Sequence, residues 1–102
     1  MIEKKTPSPE VQQQWRAQAH VLLTTCIEKL STRRVDVNRN ATLVEELRTL
    51  DQASQRRDGP FREGLFTDSI PNVARQAASH LVGQEDSKAI VEALMVYEQV
   101  IR

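Results

Sequence analysis

Apolar side chains recur at helical spacing in four stretches of this chain, and no other feature constrains its fold as strongly. In the first stretch they follow one another at intervals of three or four residues, so they share one face of a helix. That face is made of Val11, Trp15, Ala19, Leu22, Cys26 and Leu30. Three further stretches, at about residues 42–57, 68–83 and 85–101, repeat the pattern. Because short connections join these stretches, the sequence predicts an all-α fold arranged like a small four-helix bundle.

Capping residues set the expected ends of the first two helices. Ser8 can accept a backbone N–H where the first helix begins, and that helix should continue to about residue 31. Thr42 and Glu45 have the spacing of a capping box, which places the start of the second helix at residue 42. Gly59 predicts a left-handed backbone conformation that ends this helix.

The chain has 102 residues, which is about the length of one domain. Residues 1–7 carry charge without an apolar pattern, so we expect a flexible N-terminal lead followed by a single helical domain over residues 8–102. No window approaches the ~20 apolar residues that a membrane span needs, and no apolar run follows the first basic residues. These observations favour a cytoplasmic protein that does not associate with membranes.

A short apolar segment at residues 61–66 lies between helix-terminating signals. It contains Phe61, Leu65 and Phe66, and the first two are four residues apart, which predicts one extra helical turn. These side chains either fill the open end of the bundle or form a partly exposed recognition patch, since aromatic residues are enriched at binding hot spots. Beyond this segment, Thr67 or Asp68 is expected to cap the third helix.

The arginines in the middle of the chain are candidate phosphate contacts. They are Arg33, Arg34, Arg39, Arg56 and Arg57. Against this interpretation, 14 basic side chains are balanced by 14 acidic ones, so the basic excess typical of nucleic-acid binders is missing. The fourth helix is acidic and would be a poor reader of the major groove. Nucleic-acid binding through residues 33–57 is therefore an alternative that the sequence does not favour.

No group of residues carries a catalytic, metal or cofactor signature. Neither His20 nor His80 has a good metal ligand three or four residues away. Cys26 is the only cysteine, and its place on an apolar face predicts a buried thiol with a structural role. We therefore expect no catalytic residue, no metal and no cofactor, and a small helical enzyme is only the third hypothesis.

The sequence favours a non-enzymatic module that binds another protein, as an adaptor, inhibitor or regulator. The fourth helix has two parallel apolar strips, and both have the 4-3-4 spacing of paired helices. One strip is Ile90, Leu94, Tyr97 and Ile101, and the other is Ala89, Ala93, Val96 and Val100. If one strip faces the bundle, the other can meet a second copy, so we expect a homodimer with Val96 and Val100 at its interface. The competing interpretation places both strips inside a single chain.

Overall fold

The computed structural model describes residues 7–31, 37–81 and 85–101, and for residues 37–40 it describes the backbone alone. Over these residues the chain forms four α-helices, one π-helical turn and no strand. The helices are α1 (Pro9–Ser31), α2 (Val37–Gln55), α3 (Ile70–His80) and α4 (Glu85–Val100), and the π turn is Leu65–Ser69. The all-α prediction is confirmed. Of the expected N-terminal lead, residues 1–6 lie outside the described residues.

The first helix begins as its capping residue predicts. The Ser8 hydroxyl oxygen accepts the Val11 amide at 3.4 Å, and the Ser8 carbonyl accepts the Gln12 amide at 2.8 Å. Glu10 in the first turn complements the positive end of the helix dipole. The predicted apolar face of α1 is buried from Trp15 to Leu30.

The second helix begins at Val37, so the prediction that a capping box starts it at Thr42 is wrong. No glycine or proline lies between residues 37 and 42, so no backbone preference stops the helix from extending toward its N-terminus. Helix α2 packs along α1, and most helical stability in proteins comes from such packing rather than from local capping preferences. At the other end α2 stops at Gln55, and Gly59 takes the expected left-handed conformation (φ 81°) four residues later, where it bends the connection.

The extra helical turn is present, but it is shifted along the chain from residues 61–66. Helical structure begins at residues 63–64, passes through the π turn and continues into α3 without a break. The Ile70 amide closes the wide turn by bonding to the Leu65 carbonyl. Because Thr67 and Asp68 lie inside this continuous helical segment, neither caps α3, and that prediction is wrong.

All four helices contribute to one hydrophobic core. Helix α1 packs against α2 on one side and α4 on the other, and α3 packs against both α4 and α1. Leu22, Leu47, Ile90 and Tyr97 are almost completely buried at its centre. None of the described helices is both long and apolar enough to cross a lipid bilayer.

Candidate interaction surface

Helix α4 buries one of its apolar strips and leaves the other partly exposed. Ile90, Leu94 and Tyr97 are buried in the core. On the other strip Ala89, Ala93 and Val100 are half-buried, whereas 51% of Val96 is exposed. The interpretation in which both strips are internal is therefore excluded at Val96.

An ion pair shows which side of α4 carries the exposed strip. Lys29 Nζ near the end of α1 lies 3.9 Å from Asp86 Oδ1 near the start of α4, so the two helices are antiparallel. Both side chains are partly exposed, so the pair lies on the outer side of the α1–α4 seam, away from the core. Asp86, Ala89, Ala93 and Val96 follow one another at intervals of three or four residues, so they lie along one side of α4. The exposed strip therefore follows the outer side of this seam.

Helix α1 adds a second exposed valine to the same side. Val21 is 52% exposed, and it lies four residues from Thr25, which lies four residues from Lys29. Since Lys29 is opposite Asp86, Val21 lies at about the level of Leu94 in the antiparallel pair. We call the surface formed by Val21, Ala89, Ala93, Val96 and Val100 the α1–α4 face.

The α1–α4 face is free of charge on its α1 side. The outward positions of α1 between residues 13 and 25 are glutamine, alanine, valine and threonine. The two basic side chains of this stretch point elsewhere: Arg16 lies over the Phe61 ring at 5.4 Å, and His20 Nδ1 lies 2.9 Å from Asp51 of α2. Charge begins beyond this stretch, at Glu28 of α1 and at Glu92 of α4, which is exposed one turn before Val96.

A second exposed row on α4 faces the α3 side of the molecule. Met95 is 58% exposed and Val91 is 43% exposed. Glu98, which lies seven residues after Val91 and therefore on the same strip, binds Arg75 of α3 at 3.0 Å. Met95 is thus as exposed as Val96 but lies around the helix on a different side. No sequence pattern predicts that this row and Val21 are exposed, because neither belongs to a long apolar stripe.

The aromatic segment fills the core and offers little exposed surface. Leu65 is 7% exposed and Phe66 is 2% exposed, so these two candidates are not accessible to a partner, which corrects the patch interpretation. Phe61 is half-buried and stacks on Phe66 with ring centroids 5.0 Å apart, while Trp15 packs against both rings. The physical reason is that the continuous helical segment turns Leu65 and Phe66 toward α1.

The structure describes the side chains of two of the five candidate arginines, Arg56 and Arg57. Arg33 and Arg34 lie outside the described residues, as does the side chain of Arg39. Arg56 donates two hydrogen bonds to Asp58, at 3.2 and 2.9 Å, and through them it holds the pKa of that carboxyl below its usual value. Arg57 is exposed. Because Asp58 occupies the guanidinium of Arg56, that side chain is a poor ligand for an external phosphate.

The groups that could carry chemistry are dispersed or buried. Cys26 is buried, as predicted, and burial raises the pKa of its thiol from 9.0 to about 12. Within residues 7–31, 37–81 and 85–101, no three histidine, cysteine or acidic side chains gather as a metal site would require.

Comparisons with known proteins found no match among protein families, curated proteins or solved structures. Nothing in these comparisons, or in the part of the chain that the structure describes, points to an enzymatic activity.

Proposed function

We propose that this protein is a non-catalytic interaction module that works as a homodimer, formed through the α1–α4 face. The observation that carries the proposal is the pair of half-exposed valines, Val21 and Val96, at similar levels on two adjacent helices. Between residues 13 and 20 of α1, the exposed side chains are uncharged apart from His20, which binds Asp51 of α2. A patch of apolar residues with few charged residues at its centre is typical of the core of a protein interface.

The size of the face corresponds to a small, reversible dimer contact. The 16 residues of α4 span about 24 Å. Two packed helices 8–10 Å apart present a surface about 20 Å wide. A rectangle of these dimensions covers about 480 Å², which is below the roughly 800 Å² per partner of a standard interface and in the range of transient contacts.

Symmetry and charge favour a second copy of this chain as the occupant. A two-fold axis that runs parallel to the helices in the plane of the face sets α1 of each copy against α4 of the other. Val21 of one copy then packs near Val96 of the other, and the antiparallel α1–α4 contact of the monomer is repeated between copies. The net charge of zero means that two copies do not repel each other.

The mass of the protein in solution tests the proposal. We expect light scattering after size exclusion to give twice the 11.6 kDa chain mass at micromolar concentration, as a regulatory dimer requires. A monomer that persists at ~100 µM would overturn the homodimer, since interfaces weaker than this correspond to less than about 6 kcal/mol of binding.

A further inference from the structure

A cavity of about 270 Å³ lies where the end of α2 and the connection after it meet α1. The Gln55 side chain donates a 3.0 Å hydrogen bond to the Arg16 carbonyl and so fixes this end of α2 against α1. Gly59, in its left-handed conformation, turns the connection back toward α1 and brings Phe61 to the cavity wall. The Gln55 hydrogen bond and the Gly59 turn therefore fix the two walls that meet at this cavity.

Three arginines line this cavity, and the described residues supply one carboxylate to balance them. The arginines are Arg16, Arg56 and Arg62, and the carboxylate is Asp58. Asp58 is held by Arg56 through two hydrogen bonds, which leaves Arg16 and Arg62 as the cations without an acidic partner in the lining. The cavity therefore carries a net positive charge in a protein whose overall charge is zero.

Arg16 is positioned as a binding group. Its guanidinium carbon lies 5.4 Å from the centroid of the Phe61 ring, a cation–π contact that holds the plane of the side chain. Its Nε is buried and has no acceptor among the described residues. A buried donor without an acceptor is unfavourable, so an anionic ligand that reached this nitrogen would stabilise the side chain.

The wall beside Arg16 is aromatic. Phe61 is half-buried and lies flat on Phe66, with an angle of 10° between the rings. Phe66 and the Arg16 guanidinium already contact the Phe61 ring, so an apolar group of a ligand would pack on the part of this half-buried ring that remains exposed.

We propose that this cavity binds a small organic anion, a carboxylate or phosphate group held by Arg16 and Arg62 and attached to a flat apolar body that packs on Phe61. Guanidinium groups bind both kinds of anion through paired N–H donors. The cavity is smaller than the roughly 300–1,000 Å³ of drug-sized sites, so the ligand has about one ring. The site goes beyond the α1–α4 face, because Arg16 points away from that face.

Trp15 provides the readout, because it is the only tryptophan and its ring centroid lies 5.8 Å from that of Phe61. The probes are phenyl phosphate and phenylacetate, which carry both features, with inorganic phosphate and benzyl alcohol, which carry one each. We expect saturable changes in Trp15 fluorescence and in its indole N–H resonance with the first two probes. The other two should bind at least tenfold more weakly. Equal binding of inorganic phosphate would show an adventitious ion site only, and no saturation with either two-feature probe at ~10 mM would overturn the proposal.

Arg62→Gln and Arg57→Gln form a matched pair of variants. Both residues are exposed and lie in the same connection, but only Arg62 lines the cavity. Arg62→Gln removes a charged donor, so it should weaken phenyl phosphate binding at least tenfold, which corresponds to about 1.4 kcal/mol. Arg57→Gln should change it less than twofold. Equal losses in the two variants would indicate diffuse charge attraction and would overturn the assignment of this cavity.

Discussion

The Tyr97 hydroxyl donates a 2.7 Å hydrogen bond to the backbone carbonyl of Phe66, and this contact ties α4 to the π turn. Both residues are buried, with Tyr97 completely excluded from solvent. In a regular helix the Phe66 carbonyl would accept the Ile70 amide, but that amide bonds to Leu65 instead. The next residue, Pro71, has no N–H to offer. Tyr97 therefore satisfies a carbonyl that the π turn and the proline leave without a helical donor.

Tyr97→Phe should lower the free energy of unfolding by about 1–3 kcal/mol, because it leaves the Phe66 carbonyl buried without a donor. Urea unfolding followed by circular dichroism measures this loss. Pro71→Ala supplies a backbone N–H next to the orphan carbonyl, so the Tyr97→Phe change should cost less in that background. A double-mutant cycle with no coupling between positions 71 and 97 would contradict this explanation of the π turn.

The sequence was sufficient to predict elements whose local and long-range signals agree. For α1, the Ser8 cap, the apolar face and the packing against neighbouring helices all point to the same boundaries. At α2 the local signal misleads: the spacing of Thr42 and Glu45 suggests a start, but the helix begins at Val37, five residues earlier. No local pattern predicts the π turn, and the hydroxyl that satisfies its free carbonyl comes from Tyr97, 31 positions from Phe66 along the chain.

The α1–α4 face illustrates a second limit of sequence reasoning. Val96 was predicted because it belongs to a strip with regular spacing on one helix. Val21 has no apolar partner at helical spacing on its outer side, so it shows no pattern in the sequence. Its position matters only after the Lys29–Asp86 contact sets the register between α1 and α4. Likewise, the cavity at Arg16 joins residues from α1 and the connection after α2, which no local motif links.

The protein should lose stability at alkaline pH, because the fold holds protons on two buried groups. Burial raises the pKa of Cys26 from 9.0 to about 12, and burial also raises the pKa of Tyr97 above its ordinary 10.0. Between pH 9 and pH 12 the unfolded chain therefore gives up the thiol proton that the folded protein keeps. The stabilisation that this difference gives is complete below pH 9. Between pH 9 and about pH 12, the contribution of Cys26 to the free energy of unfolding falls by about 1.4 kcal/mol for each pH unit.

Unfolding in urea at several pH values from 7 to 11 measures this slope. Cys26→Ala removes the thiol, so its stability should be lower at neutral pH but should fall less steeply above pH 9. An identical slope in the variant would show that Cys26 ionises equally in both states. In a parallel experiment, the native thiol should react slowly with a disulfide reagent at pH 8 and rapidly after unfolding.

Leu47→Ala should destabilise the fold by about 2–5 kcal/mol, because this side chain of α2 is completely buried. Glu46→Ala at the neighbouring exposed position is the control and should change the free energy of unfolding by no more than about 0.5 kcal/mol. Thermal and urea unfolding of both variants measure the difference. If the two changes cost the same, α2 would not pack through Leu47.

Val96→Glu should separate the proposed dimer, whereas Met95→Glu should leave it intact. The two residues are adjacent in α4 and similarly exposed, at 51% and 58%, but only Val96 lies on the α1–α4 face. Two-fold symmetry places the introduced carboxylate in the interface twice, and a buried carboxylate without a partner costs several kcal/mol. We expect the dissociation constant to rise at least about 100-fold, which corresponds to about 2.7 kcal/mol.

Light scattering across a concentration series measures the dissociation constant, and circular dichroism checks that the monomer stays folded. Glutamate has a helix propensity at least as good as that of valine, so neither variant should lose helix content. Val21→Glu should act like Val96→Glu, since the two valines meet across the two-fold axis. If Met95→Glu separates the dimer and Val96→Glu does not, the copies associate through the Val91–Met95 row, and the α1–α4 face is not the interface. If Val96→Glu unfolds the chain, the Val96 side chain must pack inside the monomer. That result would contradict the half-exposed position that Val96 has in the structure.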